Sequence, residues 1–134
     1  MTDIVEKTAL TVAKEIKENM GANIEGKLSS ETIIKEEIKK ADILINATPL
    51  GMHPKVDASP ISKELLHEDL FVFDVIYNPL KTKLMKEAAE IGCKTLGGLD
   101  MLVNQGVLAF EWWIGKSPNA TLMKSKIIDF LGIK

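Results

Sequence analysis

Short apolar runs alternate with amphipathic helical patterns along this chain, and that order limits the architectures open to it. The clearest run covers residues 70–76, where β-branched and aromatic residues dominate and Asn78-Pro79 ends the pattern. Residues 22–26, 42–46 and 93–96 are further strand candidates. We expect residues 70–76 at the centre of a sheet and residues 42–46 buried on both faces of it.

Between these runs, apolar residues recur at helical spacing. This spacing predicts helices over residues 5–20, 29–40, 82–91, 99–114 and 117–131. Gly21, Gly92 and Gly115 follow three of them as C-terminal caps, and Ser117-Pro118 is typical of a cap followed by proline in the first turn. Strands alternating with such helices predict an α/β fold, a doubly wound and mostly parallel sheet with helices on both faces.

Composition narrows the class of protein. The 134 residues fit one domain, and 46% hydrophobic residues supply a sizeable core. Lys and Arg number 17 against 19 Asp and Glu, so the basic excess typical of nucleic-acid or anionic-membrane binders is missing. One cysteine and two histidines cannot form a Cys/His zinc cluster, and we predict no metal site. Without a membrane-length apolar run or a signal-peptide pattern, we expect a soluble cytoplasmic protein.

The informative polar residues follow the predicted strands. In parallel α/β sheets, ligands bind beyond the carboxyl ends of the strands. Asn46 and Thr48 offer amide and hydroxyl groups suited to a ribose or a carboxamide, although such residues also cap turns. Tyr77 could meet a ligand hydroxyl or lie at the rim of the core. Asp74 could orient a site or cap a neighbouring turn.

Other candidates carry similar alternatives. Gly97-Gly98 permits close backbone approach to a planar ligand, and glycine also serves a tight turn between strand and helix. Gln105 is a long amide in a largely apolar helix, on the face of Met101, Leu108 and Trp112, so a buried amide there would bond either substrate or backbone. His53 and His67 are interpreted as solvated, and no arrangement typical of a nucleophile is found.

Three segments together point to a family. Asn-Ala-Thr-Pro-Leu-Gly-Met at 46–52, Asp-Val-Ile-Tyr-Asn-Pro-Leu-Lys-Thr at 74–82 and Gly-Gly-Leu-Asp-Met-Leu-Val-Asn-Gln-Gly at 97–106 closely resemble shikimate dehydrogenase. The resemblance covers essentially the whole chain, residues 1–134, but only the C-terminal half of that family. The family reduces 3-dehydroshikimate to shikimate with NADPH in aromatic amino-acid biosynthesis, using an N-terminal substrate domain and a C-terminal, Rossmann-like nucleotide domain.

The resemblance also implies which residues make contacts. Those to NADP would come from Asn46, Ala47, Thr48, Val75, Gly98 and Met101. Those to shikimate would come from Tyr77 and Gln105. No catalytic residue of the family falls in this chain, because its Lys and Asp pair belongs to the substrate domain.

The chain also departs from the family, because two nucleotide-binding segments of the family have no counterpart here. The Gly-rich loop that cradles the pyrophosphate and the Asn-Arg-Thr/Ser stretch that grips the 2′-phosphate have no counterpart here, and NADP itself is implied only by the family. In the strand order 3-2-1-4-5-6, the first two strands would be missing between residues 22–26 and residues 42–46. We therefore expect a chain that is inactive alone and forms a homodimer or is complemented by an N-terminal half.

Two alternatives remain open from the residues. The chain could be a non-catalytic assembly or regulatory module with the same fold. It could also be half of a quinate/shikimate dehydrogenase.

Overall fold

The structure is a computed structural model, and it describes residues 1–132. The described residues form, in chain order, β1 (Thr2–Asp3), α1 (Glu6–Met20), β2 (Lys27–Leu28), α2 (Glu31–Ile38), β3 (Ile43–Asn46), a 3-10 turn (Lys63–Leu65), β4 (Phe71–Asp74), α3 (Lys83–Ile91), β5 (Lys94–Gly97), α4 (Gly98–Ile114) and α5 (Ala120–Phe130). The chain divides into two compact units, Met1–Ala41 and Asp42–Lys134. The predicted α/β class with parallel pairing is confirmed.

The first unit is a small βαβα arrangement. β1 and β2 pair in parallel, with Thr2 opposite Lys27. The prediction of a strand over 22–26 is wrong in position, because the pairing segment is Lys27–Leu28. Gly26 stands immediately before that strand, where a Cβ would lie 2.2 Å from the carbonyl oxygen of Ala9 in α1. β1 was not predicted, since two residues carry no periodic pattern.

The helices of this unit follow the sequence closely. α1 ends at Met20, and the cap that follows it, Gly21, adopts the left-handed conformation at φ 64°. The Ser30 hydroxyl accepts a hydrogen bond from the Ile33 amide at 3.3 Å and so caps α2. α2 stops at Ile38, two residues before the predicted end at residue 40.

The second unit contains a three-stranded parallel sheet in the order β3-β4-β5. The predicted central position of β4 is confirmed. One face of the sheet presents Val72, and α3 contributes Leu84 and Ala88, all three essentially fully buried. α3 begins at Lys83 because the Thr82 hydroxyl caps it, and it ends at Gly92, as predicted.

β3 departs from its prediction. Ile43 and Ile45 are each 59% exposed, so the strand is not buried on both faces. β3 is an edge strand of its sheet, and among residues 1–132 no strand pairs with its other edge. The apolar sequence of β3 therefore leaves one open apolar face and one open edge.

α4 and α5 complete the second unit. α4 begins at Gly98 directly after β5 and ends at Ile114, with Gly115 as its cap, and an ion pair between Asp100 and Lys124 links it to α5. α5 starts at Ala120, three residues later than predicted, because its N-cap is Asn119, whose Oδ1 accepts from the Leu122 amide at 2.9 Å. Across the part of the chain that the structure describes, the helices are too short or too polar to cross a membrane.

Candidate functional site

The carboxyl ends of the three central strands lie side by side. The register places Asn46 opposite Asp74, and Asp74 opposite Gly97. Two backbone hydrogen bonds extend this alignment, from the Val75 amide to the Asn46 carbonyl and from the Gly98 amide to the Ile76 carbonyl, each 3.1 Å. The loops after β3 and β4 and the start of α4 therefore leave from one edge of the sheet, where ligands bind in such folds.

A buried carboxylate holds this edge together. The Asp74 side chain has no exposed surface. Its Oδ1 accepts from the Asn46 Nδ2 at 3.2 Å and from the Ile76 amide at 3.1 Å, and its Oδ2 accepts from the Thr82 hydroxyl at 2.7 Å. The Thr82 hydroxyl in turn accepts from the Met85 amide at 3.3 Å. The structure gives Asp74 the turn-capping alternative, since its Oδ1 accepts from the amide two residues on, and its remaining bonds join the loop after β3 to the start of α3.

Asn46 is only 3% exposed, and its side chain is fully occupied by protein. Its Oδ1 accepts from the amide and the hydroxyl of Thr48 at 3.0 and 2.7 Å, and its Nδ2 donates to the Leu50 carbonyl at 3.3 Å as well as to Asp74. A carboxamide has two donors and two acceptor positions, and all four are used. The structure therefore gives the Asn46 side chain the turn-capping role.

Ala47 and Thr48 are both exposed, and they directly follow Asn46 in this loop. The Thr48 hydroxyl donates to Asn46 and accepts from the Leu50 amide at 3.2 Å, which leaves one acceptor position on its oxygen. Backbone groups and one hydroxyl oxygen of this loop are open to a ligand. The hydrogen bonds of the Asn46 side chain fix the shape of the loop.

Gly98 brings α4 against the end of β4. A Cβ at this position would lie 1.9 Å from the Val75 carbonyl oxygen and 2.4 Å from the Val75 carbonyl carbon. Such distances exclude any side chain unless the backbone moves. The close approach that the sequence suggested for Gly98 is therefore made to backbone, which places the first turn of α4 beside Val75.

The remaining candidates differ in exposure. Val75 is half-buried, whereas Tyr77 is 41% exposed and Met101 is 42% exposed. Gln105 is exposed, so the expectation of a buried amide is wrong. It lies on an open face of α4 because its neighbours on that face, Leu108 and Trp112, are themselves 66% and 85% exposed.

The histidines and the cysteine, which lie outside this edge, form no second site within residues 1–132. His53 is exposed, as expected, while His67 is half-buried. The Cys93 thiol donates to the His67 carbonyl at 3.1 Å, and burial raises the pKa of that thiol, which disfavours the nucleophilic thiolate. Within residues 1–132, no cluster of three or more His, Cys, Asp or Glu side chains could hold a metal ion.

Sequence reasoning missed Thr82 as part of the site. It was recognised only as the start of a helix. A signal was present, because a threonine at a helix N-cap stands eight residues after an aspartate that ends a strand. With that spacing, the threonine hydroxyl can bond the aspartate carboxylate if the connecting loop folds back over the end of the strand.

The chain is similar to known shikimate dehydrogenases. The family model described as the shikimate 5′-dehydrogenase C-terminal domain matches residues 98–128. A relative from Methanocaldococcus jannaschii, named shikimate dehydrogenase (NADP(+)), is 48% identical over 126 residues, which is 93% of this chain and 44% of the relative. The chain thus spans less than half the length of that relative.

Solved structures give the same result. A crystal structure of a shikimate dehydrogenase in complex with NADP+ aligns with a TM-score of 0.84 and 42% identity, over 95% of this chain and 44% of the other. A quinate dehydrogenase from Corynebacterium glutamicum in complex with NAD aligns with a TM-score of 0.86 and 31% identity, over 96% of this chain and 45% of the other. In sequence and fold, the chain therefore matches the C-terminal half of the shikimate dehydrogenase family.

Proposed function

We propose that this chain is the nucleotide-binding half of an NADP-dependent shikimate dehydrogenase, which reduces 3-dehydroshikimate to shikimate in aromatic amino-acid biosynthesis. The observation that carries the proposal is the alignment of Asn46, Asp74 and Gly97 at one sheet edge. This alignment brings together the three segments whose sequences resemble the family. The 48% identity to the Methanocaldococcus relative supports the same conclusion.

The residues at this edge suit the nicotinamide and ribose end of NADP. Polar groups come from the backbone of residues 46–48 and from the Thr48 hydroxyl, and apolar surface comes from Val75 and Met101. Gly98 allows the first turn of α4 to reach this point. When bound, the nicotinamide ring carries the hydride that is exchanged with the substrate carbon. The role of this chain is to hold that ring in one orientation.

Tyr77 and Gln105 are proposed to contact the substrate. Both are exposed, and a phenol and a carboxamide can each donate to and accept from the hydroxyl groups of a small polyol acid. Gln105 follows Met101 by four residues in α4, so the two share one helix face. This face would bring substrate beside the nicotinamide, and hydride transfer requires such proximity.

The chain carries neither a Gly-rich phosphate loop nor the Lys and Asp pair of the family. We therefore expect it to be inactive alone and to act with an N-terminal half. The open edge of β3, with Ile43 and Ile45 exposed beside it, could accept a strand from that half. Trp112 and Trp113, 85% and 74% exposed, add apolar surface that a partner would cover. Pairing of two β3 edges in a homodimer is the competing arrangement.

A chimera tests the proposal. This chain would replace the matching C-terminal segment of the Methanocaldococcus relative, and NADPH formation would be followed with shikimate and NADP+. We expect turnover by the chimera and none by this chain or the N-terminal segment separately. A folded chimera without turnover would contradict the proposal, and robust turnover by the chain alone would contradict its dependence on the other half.

Quinate is the competing substrate because the Corynebacterium quinate dehydrogenase superposes with a TM-score of 0.86. The same chimera separates the two. We expect its ratio of kcat/KM for shikimate over quinate to equal or exceed that of the intact relative. A reversed ratio would assign this half to quinate, since the N-terminal segment is identical in both proteins.

A further inference from the structure

We infer that Asp74 and Thr82 are positioning residues, which hold the loop after β3 and the loop after β4 in the arrangement that places Thr48 and Tyr77 at the site. The consequence for turnover rests on the proposed function. The arrangement of the loops themselves does not.

Three separate segments meet on the Asp74 carboxylate. Asn46 connects it to the loop after β3, the Ile76 amide connects it to the loop that carries Tyr77, and Thr82 connects it to the start of α3. The two carboxylate oxygens bind different segments. Oδ1 accepts from both loop donors, and Oδ2 accepts from the Thr82 hydroxyl. Rotation of this carboxylate would therefore disturb both loops together.

The loop after β3 also rests directly on Thr82. Gly51 adopts φ 101°, and a Cβ there would lie 3.3 Å from the Thr82 Cβ. The loop thus returns from the strand end onto the methyl-bearing side of Thr82. Asn46 holds the beginning of this loop, and Thr82 lies against it at Gly51.

The buried Asp74 carboxylate relies on these hydrogen bonds. Asp74 has no exposed surface, and no cation of residues 1–132 lies within ion-pair distance of it. A buried carboxylate without a cation depends on its hydrogen-bond donors. Loss of the Thr82 hydroxyl would leave Oδ2 without its donor, and we expect the carboxylate to turn toward another one.

A role limited to capping α3 would not need Asp74. The Thr82 hydroxyl can accept from the Met85 amide without an aspartate. In the structure its proton is instead directed to the carboxylate that also holds Asn46 and Ile76. This connection distinguishes positioning of the site from simple helix capping.

The kinetic test compares Thr82→Val, which keeps the shape and removes the hydroxyl, with Thr82→Ser, which keeps the hydroxyl. Both would be made in the active chimera and assayed where circular dichroism shows them folded. We expect Thr82→Val to lower kcat by about tenfold or more, because small displacements of positioning groups are costly in rate. Thr82→Ser should restore kcat to within about threefold of the parent. A folded Thr82→Val with the parent's kcat and KM would overturn the inference.

Amide hydrogen exchange on the chain itself provides a readout that does not depend on activity. In Thr82→Val, we expect the Thr48 and Ile76 amides to exchange about tenfold faster or more, while the Val72 amide inside β4 keeps its protection. Unchanged exchange at Thr48 and Ile76 would overturn the inference even if the chimera is active. An inactive parent chimera would contradict the proposed function, and the exchange data would still decide the inference.

Discussion

Substitution of Gly98 by alanine should be strongly destabilising. The added Cβ would lie 1.9 Å from the Val75 carbonyl oxygen, whereas unstrained non-bonded contacts lie near roughly 3.5 Å. The start of α4 would therefore have to move by more than an ångström away from β4. Such a shift breaks the hydrogen bond from the Gly98 amide to the Ile76 carbonyl.

The magnitude follows from two contributions. Overpacking costs about 1–3 kcal/mol, and loss of a buried hydrogen bond costs about 1 kcal/mol. We expect Gly98→Ala to lower the free energy of unfolding by about 3 kcal/mol, a large share of the stability of a domain this size. The measurement is urea unfolding followed by far-ultraviolet circular dichroism, with the midpoint compared at equal slope.

Gly106→Ala is the matched control in the same helix. Its Cβ would approach only the Met123 Cε, at 3.0 Å, and the end of a methionine side chain can move aside. Because alanine also favours a helix interior over glycine by about 1 kcal/mol, we expect no net loss beyond about 1 kcal/mol. A Gly98→Ala variant within about 0.5 kcal/mol of the parent would refute the steric reasoning.

Three further predictions concern caps, the thiol and the open strand. Asn119→Ala should lower the free energy of unfolding by about 1 kcal/mol, whereas Ser117→Ala should leave it almost unchanged. The reverse result in urea unfolding would support a start of α5 at residue 117. Because burial raises the pKa of Cys93, its alkylation at neutral pH should be slow in the folded chain and fast in urea, and equal rates would contradict its burial. Ile45→Lys, on the open face of β3, should leave the chain's own unfolding midpoint nearly unchanged but weaken its association with a partner half, measured by analytical ultracentrifugation. Association that is insensitive to this substitution would place the partner elsewhere.

The sequence allowed accurate prediction where the determining physics is local. The apolar run that forms β4 was correctly placed at the sheet centre, and Gly21, Gly92 and Gly115 were identified as caps because left-handed backbone at a helix end favours glycine. The start of α5 was misplaced because Ser117-Pro118 was interpreted as its cap, whereas in the structure the Asn119 side chain accepts from the Leu122 amide.

The errors and omissions at the site have a nonlocal origin. Asn46 and Asp74 are 28 residues apart, so neither residue's neighbours reveal that their side chains bond. The pattern of β3 predicts burial but cannot show which element supplies the covering surface. Gln105 lies on the face of α4 where Leu108 and Trp112 are exposed, while other apolar residues of the helix are buried. Periodicity alone cannot distinguish an apolar face directed to the core from one that is exposed.

Calorimetric titration of NADP+ tests most directly whether this chain is one half of a nucleotide site. The chain alone lacks a phosphate-binding loop, so we expect binding weaker than about 1 mM, whereas the chimera should bind with a Kd below about 100 μM, or roughly −5.5 kcal/mol. Binding of that strength by the chain alone would contradict the requirement for a second half. Absence of binding by the folded chimera would contradict the assignment of the β3, β4 and β5 strand ends to the nucleotide.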